Sequence, residues 1–352
     1  MNNRLLWPDN AKALAIFLVF LGHLLEGNNA ISPELVAENR YIYAFHIPLF
    51  FMVAGYFFRE KRGSFGELVV SKFKSRMVPV LFFTLVAYPL WLHPDWWNIT
   101  NVDPESVHYH LWRLLRGFPN LNWPCWFLFC LMLVELIAAE LIPMLRGKWK
   151  LGLAIPIIYI MGRLLTDKFP AEGVLVLEKP EDIWFLQEAF VALPFYLAGH
   201  LLAQTGWLAE VSVNRRLMIL PLLLVIFIAA THFNFPDNPN MKVNMSTAEH
   251  GGWIYFPVAG LTGALGFLLL CQFLPQNRLL TYVGSNTLPL MGINGLFLHF
   301  FNRLIAPACD ALGHGYVLLA VYIAASLVSL LLCLPLVLLF NRCVPWCVGQ
   351  WR

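Results

Sequence analysis

Along the chain, Asp, Glu, Lys and Arg all but vanish from a series of long apolar runs and return between them. A helix needs ~20 mostly apolar residues to cross the hydrocarbon core of a bilayer. Ten segments meet that demand: residues 11–27, 43–58, 77–93, 125–143, 151–166, 183–204, 217–232, 253–274, 286–306 and 316–340. The pattern predicts an all-α, polytopic helical membrane protein with about ten transmembrane helices. No internal repeat and no low-complexity linker divides it, so one membrane domain over residues 1–352 is expected.

Composition sharpens the class. Of 352 residues, 59% are hydrophobic and 13% charged, about half the charge density of a soluble globular domain. This excludes a soluble enzyme and a disordered chain. The net charge of +3 is small for the length, which leaves no case for a nucleic-acid partner. The first 27 residues carry one Arg before the apolar run, but Asp9 and Lys12 interrupt it and no small-residue cleavage site follows, so a retained first span is expected. Seven Cys are present without a CxxC pair, and no metal site is expected.

Placement of charge predicts orientation, because short cytoplasmic loops are rich in Lys and Arg. Arg59, Lys61, Arg62, Lys72, Lys74 and Arg76 fall between the second and third runs, Arg146, Lys148 and Lys150 between the fourth and fifth, and Arg215 and Arg216 between the sixth and seventh. These loops are predicted to face the cytoplasm, and an even number of spans puts both termini there too. The stretches 94–124, 167–182 and 234–252 are then outside.

Ionisable side chains inside a bilayer are costly and are functional candidates by default. They are His23 and Glu26 in the first span, His46 in the second, Glu135 and Glu140 in the fourth, Glu188 and His200 in the sixth, and His299, with polar Asn294, in the ninth. For Glu140, Glu188, His200 and His299 hydrogen-bonded bridging of helices is sufficient explanation. In the first span the polar residues share one face: Lys12 and His23 are eleven positions apart, three turns plus ~20° and ~16 Å along the axis. Asp9 precedes Lys12 by three positions and Glu26 follows His23 by three, so each reaches its neighbour on that stripe. Asp9 after Pro8 also suits the positive end of the helix dipole.

These residues carry a resemblance. WPDNAKALAIFLVFLGH, with Asp9, Lys12 and His23, followed by FHIPLFFMVAGYFF over residues 45–58, resembles the opening of the acyltransferase 3 family of bacterial integral membrane proteins, whose first span typically holds a basic residue, ten positions and a histidine. The likeness continues through KSRMVP from Lys74, PCWFL from Pro124, LPFYLAGHLL and LTYVGSNTLPLMGIN. Lys12 stands where many members have Arg, Ala54 where Ser is usual, Phe73 where a second loop arginine is common, and Asn294 where histidine is common. The fucose 4-O-acetylase-like subgroup is nearest in its bare ten-span layout.

What the resemblance implies is transfer of an acyl group, usually acetyl, from cytoplasmic acyl-CoA to a hydroxyl of an extracytoplasmic or lipid-linked glycan, by a multi-pass protein of the bacterial inner membrane, with a homo-oligomer compatible. His23 is then the expected general base, its pKa suited to proton transfer near neutrality, with Glu26 orienting it. Asp9, Lys12, Lys72, Lys74 and Arg76 are expected at the acetyl-CoA phosphates, and His46, Trp126, Glu135 and Asn294 toward the thioester or acceptor. The outer stretch 94–124, rich in Trp and His, suits an acceptor platform or an amphipathic segment in the headgroup region. A proton-coupled transporter or flippase for a lipid-linked sugar also uses intramembrane His and Glu, though neither inverted repeats nor paired broken helices are visible.

Overall fold

The structure, a computed structural model, describes residues 7–27, 33–60, 63–92, 104–168, 183–238, 240–275, 277–312 and 316–351. The described residues form helices and connecting turns, without strands. In chain order the helices are α1 Trp7–Gly27, α2 Pro33–Tyr56, α3 Phe65–Lys72, α4 Val78–Leu92, α5 Pro104–Leu115, α6 Trp126–Met144, α7 Lys148–Lys168, α8 Leu186–Thr205, the short α9 Trp207–Glu210, α10 Val213–His232, α11 Tyr255–Cys271, α12 Arg278–Ser285, α13 Thr287–Leu312 and α14 Tyr316–Cys343. A π-helical turn, Phe73–Met77, joins α3 to α4, and a 3₁₀ segment, Asn120–Cys125, leads into α6.

Among the described residues each apolar run singled out in the sequence falls mainly on a helix. Among the described residues seven helical stretches are long and apolar enough to cross a membrane: Trp7–Leu25, Phe65–Leu92, Val107–Met144, Lys148–Asp167, Ile183–Thr205, Val213–His232 and Val317–Cys343. Tyr255–Cys271 and Thr287–Leu298 are shorter apolar helices. The chain is thus a polytopic helical membrane protein. Helix α2 differs from expectation by starting at Pro33, ten residues before the apolar run. Its polar first half is held by α1: Asn39, fully buried, donates its side-chain amide to the carbonyl of Gly22 at 3.1 Å. A partner helix satisfies a polar group that hydropathy alone reads as solvent-facing.

Helix α1 is the hub. It packs on α2, α11, α12, α13 and α14, and 72% of its apolar stretch is buried, against 11% for α10. The exposed apolar side chains of α10 and α14, such as Leu222, Val225, Leu327 and Leu332, form the outer, lipid-facing wall. Helix α8 packs between α2 and α7 and also meets α6. Between α2 and α8 the backbones touch through two glycines: a β-carbon on Gly55 would collide with the Tyr196 carbonyl, and one on Gly199 with the Met52 carbonyl. Inside a bilayer, where lipid tails are as apolar as leucine, such close approach of small residues is a main source of helix association.

Overpacking this seam should cost ~1–3 kcal/mol or more. Gly55→Val and Gly199→Val are each expected to lower the melting temperature in detergent. Gly152→Ala on α7, where a β-carbon meets open space, should leave it unchanged or slightly raised. Thermal unfolding of the three variants checks the contrast.

Candidate active site

Helix α1 begins with Trp7 and Pro8, and Asp9 falls in its first turn, where the unsatisfied backbone N–H groups favour a carboxylate. Lys12 Nζ reaches Asp9 Oδ1 at 3.1 Å, with the carboxylate buried and the ammonium partly open. Three turns along the same stripe stands half-buried His23. Its Nδ1 lies 2.6 Å from Oδ1 of buried Asn294 on α13. With the amide oxygen accepting, the proton sits on Nδ1 and the lone pair on Nε2. A neighbouring group that selects a tautomer and fixes ring orientation is what a general base requires. The side chain of Glu26, the expected partner, lies outside the described residues, as does that of His299.

A second cluster forms around the π-helical turn. Helix α3 is started by a capping box: Ser64 Oγ accepts from the Glu67 N–H at 3.3 Å, and Glu67 returns the bond to the Ser64 N–H at 2.9 Å. Lys72 and Arg76, four residues apart, leave this element on one side and converge on a single carboxylate. Arg76 grips Glu135 of α6 with two hydrogen bonds of 2.8 and 3.1 Å, and Lys72 Nζ lies 2.9 Å from Glu135 Oε1. Fork-on-carboxylate geometry of this kind is the strong form of a charge-assisted bond. Glu135 is buried and its charge is compensated by the two cations; removal of both would leave an expensive buried charge.

This arrangement departs from the sequence expectation in two ways. Glu135, expected toward the acceptor, sits with the cations expected at the donor phosphates. Lys74, expected with Lys72 and Arg76, leaves the opposite side of the turn: its ammonium lies over the Trp351 ring at 5.3 Å, and its carbonyl accepts from Trp351 Nε1 at 2.9 Å. Two positions along a helical turn reverse the direction of a side chain, whereas four positions restore it.

The remaining candidates fall at different depths. His46 is buried, with Nδ1 2.8 Å from the Ile42 carbonyl and its ring edge-on to Tyr43. Trp126 is packed against Phe185 and Phe127 instead of presenting a face to a chamber. His200 pairs with Gln204 one turn on and meets the ring of Phe58; the hydrogen bond lies within α8, whereas a bridge between helices was expected of it. On α5, Tyr109, Trp112 and Leu115 are exposed while Val107 and Leu114 are buried, an amphipathic disposition suited to the headgroup region. Among the described residues no three of His, Cys, Asp and Glu come together as a metal would need.

Two sets of polar residues escaped the sequence reading. The first is Asn122 in the 3₁₀ segment, fully buried, whose side-chain amide donates to the Gly292 carbonyl at 2.9 Å. The second lies at the far end of α7 and α8. His250 Nε2, in the loop 233–254, is 2.8 Å from Glu188 Oε2, and Arg163 donates to Tyr159, Asp167 and the Gly251 carbonyl while its guanidinium covers Trp253. Arg163 lies within an apolar run, so the signal that singled out Glu188 was present for it as well. His250 gave none, because its loop is polar and its burial is a tertiary fact. Burial first, and the Arg163 charge second, push the His250 pKa down from 6.5 to about 3. The neutral ring therefore donates Nε2–H to the Glu188 carboxylate.

A histidine whose folded pKa is depressed takes up its proton more readily when unfolded. Between pH 6.5 and about 3 the unfolded chain binds the extra proton, so stability falls as pH is lowered through that window, by at most ~1.4 kcal/mol per pH unit from this group. The melting temperature is expected to drop from pH 7 to pH 5. His250→Gln should have a lower melting temperature at pH 7 and a flatter profile, which a pH series of thermal melts reads directly.

The profile of the acyltransferase 3 family, described as an acyltransferase domain, matches residues 5–338. Nodulation protein NolL of Mesorhizobium japonicum is 36% identical over 98 residues, which is 25% of this chain and 25% of that protein. The match to this curated relative thus spans about a quarter of its length. No solved structure matches the chain. A profile that runs from the first turn of α1 into α14 includes the Lys12/His23 stripe, the π-helical turn and Asn294, and the chain belongs to the acyltransferase 3 family of membrane acyltransferases.

Proposed function

We propose that the chain moves an acyl group, acetyl by preference, from acyl-CoA on the cytoplasmic side to a hydroxyl of an extracytoplasmic or lipid-linked glycan, as an enzyme of the bacterial inner membrane. The observation that carries this reading is the His23 to Asn294 hydrogen bond of 2.6 Å at the far end of a stripe that begins with the Lys12 to Asp9 pair. It joins a base with an assigned tautomer to a cationic end ~16 Å away along the helix, a separation a pantetheine arm can thread.

In this reading His23 Nε2 takes the proton of the acceptor hydroxyl as that oxygen attacks the thioester carbonyl. The new C–O bond forms, the C–S bond breaks, and the imidazolium returns its proton to the departing thiolate, so that charge and protons balance within one ring. Asn294 holds the ring through Nδ1. Lys12, Lys72 and Arg76 provide the positive charge that donor phosphates favour. Glu135 keeps Lys72 and Arg76 gathered at one point, since without it two partly buried cations would repel each other.

His23→Gln is expected to lower turnover of labelled acetyl-CoA by at least ~100-fold, the low end of what a general base contributes, with acetyl-CoA binding retained. Arg76→Gln should raise the KM for acetyl-CoA far more than it lowers kcat. A folded His23→Gln protein with wild-type turnover, or a folded wild-type protein that neither binds nor turns over any acyl-CoA, would overturn the reading.

A further inference from the structure

Helix α13 carries Asn294 between two glycines, Gly292 and Gly295. Glycine inside a helix adds backbone freedom and loosens the local turn, a poor support for a side chain that must orient a catalytic ring. The structure supplies the missing rigidity from outside. A β-carbon on Gly292 would strike the ring of Phe83 on α4, and one on Gly295 would strike Oδ1 of Asn122. The two glycines are therefore the points where neighbours press directly on the α13 backbone, one on each side of Asn294 in sequence.

Asn122 holds that turn at both points. Its Nδ2 donates to the Gly292 carbonyl at 2.9 Å, while its Oδ1, buried and without a hydrogen-bonding partner, rests against Gly295. Such an oxygen over a glycine Cα is a weak C–H contact at best, so the amide is held there by its surroundings and not by its own affinity. Those surroundings are firm. The backbone leaves helical geometry at Asn122 itself, with φ −144° and ψ 73°, which swings the side chain toward α13. The residue before it is tied by Trp91 Nε1 donating to the Leu121 carbonyl at 3.0 Å, and the residue after it by Trp123 Nε1 donating to Ser246 Oγ at 3.2 Å in the outer loop. Three consecutive residues are thus pinned to three different elements.

We infer that Asn122 is a positioning residue for acyl transfer, clamping the Gly292 to Gly295 turn so that Asn294 presents its amide oxygen to His23. The inference rests on the reading of His23 as general base. It assigns Asn122 no contact with substrate: its effect passes through Asn294 to the ring.

The test is a double-mutant cycle on the full-length protein in nanodiscs, with labelled acetyl-CoA and size-exclusion and thermal-melt profiles as controls for folding. Asn122→Ala is expected to lower kcat by about 10- to 100-fold, the scale of a ~1 Å misplacement, with the KM for acetyl-CoA within about twofold of wild type. Asn294→Ala should cost a similar factor. The double variant should lose little more than the worse single variant, because both changes remove one and the same support. A merely structural asparagine would give losses that multiply, or a fall in folded protein with unchanged kcat per folded molecule; either outcome overturns the inference, as does wild-type kcat in Asn122→Ala. Where the alanine variant does not assemble, Asn122→Ser, too short to span to Gly292, carries the same cycle. His23→Gln in the same series separates the two claims: wild-type turnover there fails the base itself, whereas loss of turnover there with multiplying losses at 122 and 294 fails only the clamp.

Discussion

Every polar side chain placed at membrane depth has to find its partner inside the protein, because the hydrocarbon offers none. That constraint organises the molecule around α1. Its first-turn carboxylate holds Lys12, its middle packs on five neighbouring helices, and its His23 is held by an amide from α13. The same demand draws α2 inward at Asn39, gathers Lys72 and Arg76 on Glu135, and buries His250 against Glu188. At each of these places the helices are arranged so that one costly group meets another.

The polar clusters occupy separate places in the bundle and are differently built. The cationic group at the π-helical turn is charge-compensated by one carboxylate that serves two cations, a geometry that keeps positive charge localised without dispersing it over flexible side chains. A π-helical turn is a common device where a side chain has to be aimed off the regular helical rows, and here it sends Lys74 one way and Arg76 the other. At His23 the partner is instead an amide, that of Asn294 on α13. The His250 pair is buried and neutral at the ring, which suits a fastener of the loop 233–254 better than proton transfer.

Tight helix contact here is written in glycine. Gly55 and Gly199 close α2 on α8, Gly284 admits the Asp9 backbone, and Gly292 and Gly295 admit Phe83 and Asn122. Each lets a neighbour's backbone, ring or amide approach nearer than a β-carbon would allow, and each gives up local stiffness in return. The bundle recovers that stiffness through cross-helix contacts, so rigidity near the site is a property of the assembly and not of any one helix.

How much of this was legible beforehand depended on the range of the physics involved. The membrane class, the apolar helices and the Lys12/His23 stripe follow from hydropathy and from ~100° per residue along one helix, both local. So did the suspicion attached to Glu135 and Glu188, as charges within apolar runs. The partners did not follow: that Glu135 would meet Arg76 across 59 positions, or Asn294 meet His23 across 271, is decided by how helices pack. Nor did any local signal mark Asn122 or His250, whose polar neighbourhoods read as loop. The sequence by itself determined that the chain is a helical membrane protein and which charged residues fall within its apolar runs. Only the tertiary structure decided who satisfies whom, because a hydrogen bond between helices is a matter of distance in space that no periodicity along a single helix encodes.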